Sequence, residues 1–165
     1  MALRERTGPP SFRVLLLAAP LIFVAHFMEE APDFVAWFNA HVARDITPSL
    51  FWTVNYTALA ITLVVVTLEW TSGTAASIAL VVAWLSGLMF ANALFHIVGA
   101  IIDRAYTPGL VTALLLYLPF YSWVVLRALQ LRRLQPRGVA VAALLGATPM
   151  LAHGFLILFR GSRLF

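Results

Sequence analysis

The sequence predicts an all-α fold, an integral membrane bundle of about five transmembrane helices with one short interfacial helix after the first span. Three observations predict it. Hydrophobic residues make up 62% of the chain, mean hydropathy is +0.91 and only 11% of residues are charged, values far outside the usual soluble range. The apolar residues fall into five runs, each close to the roughly 20 residues that cross a bilayer. The stretches between the runs are short, so the 165 residues make a single transmembrane domain, 1–165.

The first span covers about 12–30 and follows a basic start. It is read as a retained helix rather than a secretory leader, because it lacks a small-x-small cleavage site and runs straight into His26, Glu29 and Glu30. Ala31-Pro32-Asp33 ends it, since the residue before proline is pushed away from helical angles. Asp33 can cap the next helix. That next segment, about 33–43, carries Phe34, Phe38 and Val42 at a spacing of four and is too short to span, which suits a helix lying at the interface.

The second span, about 48–70, places Trp52 and Trp70 18 residues apart, roughly 27 Å of helix and nearly one hydrocarbon core. Aromatic rings favour the two interfaces, so these tryptophans mark its ends. The third span, about 75–102, carries Ala83, Gly87 and Ala91 at spacings of four. Small residues on one stripe allow close backbone approach and make this helix central. The fourth span, about 108–127, opens with Pro108, a residue suited to a first helical turn. The fifth, about 138–159, contains Pro149 as an expected kink.

All eleven basic residues are arginine. Arg4, Arg6 and Arg13 precede the first span, and Arg127, Arg132, Arg133 and Arg137 crowd one connection, against Arg44, Arg104, Arg160 and Arg163 on the other side. The positive-inside bias puts the N-terminus in the cytoplasm of a multi-pass protein of the cell membrane. The basicity therefore reads as topology, with membrane lipids rather than nucleic acid as partners. The absence of cysteine removes disulfides, thiolate ligands and iron–sulfur clusters; the absence of lysine removes a Schiff base and a phosphate-binding lysine.

Ionisable groups inside spans are costly and need partners. His26, Glu29 and Glu30 lie late in the first span, Asn55 early in the second, Asn92 and His96 late in the third and His153 late in the fifth. Up-and-down threading puts them all in one leaflet and leaves the other almost without polar groups. His26 shares a helix face with Glu29 and Glu30 through spacings of three and four, and Asn92 and His96 repeat the spacing of four. Imidazoles and carboxylates are ordinary ligands of zinc, iron and manganese. His26, Glu30, His96 and His153 are accordingly the expected ligands of a divalent transition metal, zinc or iron. Glu29 is the expected general base, with Asn92 and Tyr106 as further catalytic candidates. His41, on the interfacial segment, reads as a headgroup-level residue.

The ordered set His26-Phe27-Met28-Glu29-Glu30, His96 and Tyr106-Thr107-Pro108-Gly109 resembles the HXXEE family of small prokaryotic membrane proteins, over most of the chain. The resemblance points to a membrane enzyme and supplies no substrate. It implies that His26, Glu29, Glu30, His96, Tyr106 and the Pro108-Gly109 turn share a site; His153 and Asn92 come from the leaflet argument alone. The functional expectation is a metal-dependent membrane hydrolase, with iron-based oxidation open, acting on a lipid-like or small hydrophobic substrate from the outward leaflet. Two alternatives stand beside it. One is a metal-free acid-catalysed isomerase or cyclase of isoprenoids, exploiting adjacent carboxylates that resist joint ionisation; the other is a non-enzymatic ligand-binding or proton-linked permeation protein.

Overall fold

The computed structural model describes residues 12–42 and 46–156. Among the described residues there are helices and no strands. Helix α1 is Phe12–Glu30 with a one-residue break at Leu17, α2 is Phe34–His41 and α3 is Pro48–Ser72. Helix α4 is Ala75–Asp103, α5 is Leu110–Gln130 and α6 is Pro136–Leu156. All but α2 are long and apolar enough to cross a membrane, and we read the chain as a multi-pass membrane protein. The largest departure from the sequence reading is at α5, which starts at Leu110 rather than 108 and ends at Gln130 rather than 127. The predicted ends at 43 and 159 lie outside the described residues.

Local chemistry sets the helix ends. Thr47 caps α3 by accepting from the Leu50 amide at 3.1 Å, and Pro48 occupies the first turn. Gly73 ends α3 in the left-handed region at φ 58°, and Thr74 and Ser77 then cap α4 reciprocally. Asp33 stands before α2, yet its side chain makes no capping bond there. Helix α6 runs through Pro149 without interruption.

Helix α4 is central: half of its most apolar stretch is buried, against a third or less for the other spans. Its small-residue stripe faces α6, and a β-carbon on Gly87 would sit 2.6 Å from the Gly146 carbonyl oxygen. One on Gly146 would run into the Ala83 carbonyl. The two backbones therefore touch, as small residues permit. Helices α3, α1, α5 and α6 surround α4 in that order, and the ring is open between α3 and α6, which both lean on α4 with little direct contact between them. At the end where α1 and α4 finish, α2 lies across the bundle. Its Trp37 and Phe38 pack on Phe95, and Trp37 Nε1 donates to Asp103 at 3.3 Å.

The opposite end corrects the expectation that it holds almost nothing polar. Glu69, fully buried near the end of α3, accepts from the Arg133 guanidinium at 2.9 Å and from Ser77 Oγ at 2.5 Å. The carboxylate is thus neutralised by the α5–α6 connection. Two further departures from regular helix bear on the site: Ser86–Ala91 of α4 and Ala113–Tyr117 of α5 are π-helical.

Candidate metal centre

On α1 the buried residues are Phe12, Leu16, Ala19, Phe23, His26, Phe27 and Glu30. Their spacings of three and four define one face, so His26 and Glu30 are carried inward by the stripe that packs the helix. Glu30 Oε1 lies 3.4 Å from His26 Nε2 and 3.1 Å from His96 Nε2, and all three residues are at least 95% buried. The ligand-type atoms of this trio fall within 4.8 Å of one another.

Neither Nε2 atom makes a well-directed hydrogen bond; both are buried polar atoms without a partner. Such atoms are costly and call for an explanation. A tetrahedral metal supplies one: ligands about 2.0–2.1 Å from zinc sit about 3.3 Å from each other, close to the 3.1 and 3.4 Å found here. In that arrangement each ring nitrogen aims at a point beside the carboxylate oxygen, not at the oxygen itself. The residues present fit a divalent metal.

The surroundings fix these side chains. His26 Nδ1 lies 2.8 Å from Thr112 Oγ1, whose own hydrogen can go to the Gly109 carbonyl at 3.3 Å. The hydroxyl then accepts from Nδ1–H, and the Nε2 lone pair is left for the centre. The Tyr117 ring packs on His26 with centroids 4.1 Å apart. Gly109, at φ +94°, presses on the trio from the start of α5: a β-carbon there would lie 2.8 Å from His96 Cε1 and 3.0 Å from both Glu30 Cγ and His26 Cε1. Thr107 Oγ1 donates to the His96 carbonyl at 3.1 Å and ties the same turn to α4.

Glu29 points elsewhere. One of its oxygens accepts from Tyr106 Oη at 2.6 Å and the Val111 amide at 3.0 Å, and the other from the Thr112 amide at 2.7 Å. It binds the exposed amides at the start of α5, where the helix dipole favours an anion. Burial, then the Glu29 carboxylate beside it, pushes the Tyr106 phenol up to about 12. The adjacent glutamates therefore diverge, Glu30 toward the two imidazoles and Glu29 toward the start of α5.

The chain belongs to the HXXEE family. The family model, described as a protein of unknown function with HXXEE motif, matches residues 17–124. That stretch holds His26, Glu30, His96, Gly109 and Thr112 and stops before α6. Comparison with curated proteins and with solved structures gives no match.

His153 is not part of the trio. It is exposed on α6 and lines a cavity of about 870 Å³, which Glu30 also lines. Matched depth brought it to the right end of the bundle, but its helix stands across the cleft. Asn92 lines the same cavity with its buried Oδ1 unpartnered, whereas Asn55 donates back to the Phe51 carbonyl at 3.0 Å. His41 lies 3.6 Å from Asp103 and stacks on Trp37, so it fastens α2 to the end of α4.

Sequence reasoning missed Thr112 and Tyr117. Tyr117 is fully buried with Oη unpartnered, at the end of a π-helical stretch. Its signal was a phenol inside an otherwise apolar run, and π-helical turns recur at functional sites.

Proposed function

We propose that this chain is an integral membrane enzyme, a metal-dependent hydrolase of hydrophobic, lipid-like substrates, with His26, Glu30 and His96 as the metal ligands. One observation carries the reading: two unpartnered buried imidazole nitrogens flank a carboxylate that also lines a large apolar cavity. Three protein ligands with one side toward a cavity is the pattern of a catalytic rather than a structural site. A bound divalent metal would supply a polarising centre and a water acidified to about pKa 7.

The chain's own residues do the rest. Thr112 holds the His26 ring in the tautomer that leaves Nε2 unprotonated. Glu29, held by three donors, acts as a positioning residue that locks the start of α5, and with it Gly109 and Thr112, against the trio. Tyr106 completes that lock. The apolar cavity walls exclude bulk water, and Asn92 offers a hydrogen-bond acceptor in the cavity that Glu30 also lines. In the orientation set by the arginine bias, the cluster lies toward the outer face of the cell membrane.

Elemental analysis of the purified full-length protein tests the reading. We expect about one zinc or iron per chain in wild type, lost in His96→Ala and Glu30→Gln while helical content is kept. Metal-free wild type after preparation in metal-replete medium, or full occupancy in both variants, overturns it.

A further inference from the structure

The cavity beside Glu30 is a cleft in the wall of the bundle. It fills the opening between α3 and α6, with α4 as its floor and Phe34 and Phe38 of α2 across one end. Along its rims Leu50 and Val54 of α3 and Leu145 of α6 are exposed, so the cleft opens sideways, where lipid lies.

The cleft has a direction. Glu30, Asn55, Asn92 and His153 gather at the end near α2, and the far end is walled by Ala58, Leu80, Ala83 and Trp84. Trp84 is held in place by donating to Thr62 Oγ1 at 2.9 Å. The lining residues of α4 run from Leu80 to Phe95, about 22 Å of helix. A lipid tail that fills one leaflet spans about 15 Å, so one tail fits lengthwise.

Volume and charge narrow the occupant. At roughly 30 Å³ per non-hydrogen atom, the share of a water in the liquid, about 870 Å³ holds one tail with a small head and not the roughly 50 atoms of a two-tailed phospholipid. Among the described residues no arginine lines the cleft, whose polar side chains are Glu30, Asn55, Asn92 and His153, and the chain has no lysine, so a phosphate finds no guanidinium or ammonium partner there. Asn92 Oδ1 is buried and unpartnered, and a hydroxyl supplies the donor it lacks.

We infer that the cleft binds a single-tailed lipid with an uncharged, hydroxyl-bearing ester head, of the monoacylglycerol kind. Its tail lies along α4 toward Trp84, and its head lies at Asn92 and Glu30. The inference rests on the proposed metal centre for its chemistry and on the cleft alone for its binding.

The test is photo-crosslinking of the full-length protein in lipid nanodiscs, with a monoacylglycerol carrying a diazirine at the tail end and a lysophosphatidate of the same tail as the charged counterpart. We expect the monoacylglycerol probe to label the stretch 80–88 saturably, to be displaced by excess unlabelled monoacylglycerol, and to exceed the lysophosphatidate at least about tenfold, since taking a charge out of water without a matched partner costs at least that much. Ala58→Trp, which fills the far end, and Val54→Trp, on the exposed rim, should each reduce the labelling without lowering metal content. Unsaturable labelling spread over lipid-facing residues such as Leu21 and Ile101, or equal labelling by both probes, overturns the inference. Saturable labelling of a wild type that binds no metal would retain the cleft site and reject the metal centre. Full metal occupancy without saturable labelling would do the reverse.

Discussion

Replacing Gly109 by alanine tests how the centre is assembled, because the residue contributes no side chain to it. At φ +94° an alanine adopts a conformation that costs an L-residue about 1–2 kcal/mol. Its methyl would also stand 2.8–3.0 Å from atoms of His96, Glu30 and His26, an overpacking that costs about 1–3 kcal/mol. The sum is about 2–5 kcal/mol, or about 4–20 °C in unfolding temperature at this chain length. The displaced ligands should weaken metal binding by about 10–100-fold, the usual effect of disturbing the groups that orient ligands. Gly138→Ala is the control: it sits in a helix with its nearest neighbour, Leu134 Cδ2, at 3.8 Å, and should gain about 0.5–1 kcal/mol. Thermal unfolding in detergent micelles and metal titration of both variants decide the matter. A Gly109→Ala protein with wild-type stability and affinity would refute the close packing of this turn on the trio.

Thr112→Val removes the hydroxyl that orients His26 while keeping the shape, and should lower metal affinity by about 10–100-fold in a metal titration with little loss of helix. Arg133→Ala leaves the fully buried Glu69 with only a hydroxyl partner; because Arg133 is partly exposed, about 2–4 kcal/mol of stability should be lost, and adding Glu69→Gln should restore part of it in the same unfolding assay. Tyr106→Phe should cost about 0.5–1 kcal/mol, since the bond to Glu29 is charge-assisted but half-exposed. The phenol titrates at about 12, above its ordinary value near 10. The stability gap to wild type should therefore be constant from about pH 6 to 9 and close as pH rises through about 12, measured by unfolding across that range.

The spans were legible because an apolar run of bilayer length has few alternatives, and His26 and Glu30 because a spacing of four puts both on the stripe that packs α1. His96 was legible from depth. Depth alone misplaced His153, since it fixes height in the bundle but not angle around it, and α6 stands on the far side of the cleft. Glu29 sits one residue, about 100°, around the helix from Glu30. Glu30 falls on the inward stripe of α1, and Glu29 instead meets the start of α5, which Gly109 delays past Pro108. Glu69 drew no notice near the end of the second apolar run, because its partner lies 64 positions away at Arg133, a separation that no local pattern shows. Thr112 was hidden because a threonine hydroxyl in a helix usually satisfies itself on the preceding turn, and Tyr117 because one more ring in an apolar run reads as packing.

The two π-helical stretches give the bundle an unusual tolerance of length at two chosen places. A π turn holds one residue more than the α-helical ladder requires, so deleting a single residue within Ser86–Ala91 would let α4 close into regular helix. The wider winding already takes up the extra residue, so His96 beyond the deletion would keep the face that meets Glu30. A deletion in the regular turn between Asn92 and His96 has no such slack and would turn His96 by about 100° away from Glu30. The same holds in α5, where the stretch Ala113–Tyr117 is the place at which a residue can be lost while the helix beyond it keeps its faces. In both helices the π turn is a reserve of length set beside the centre.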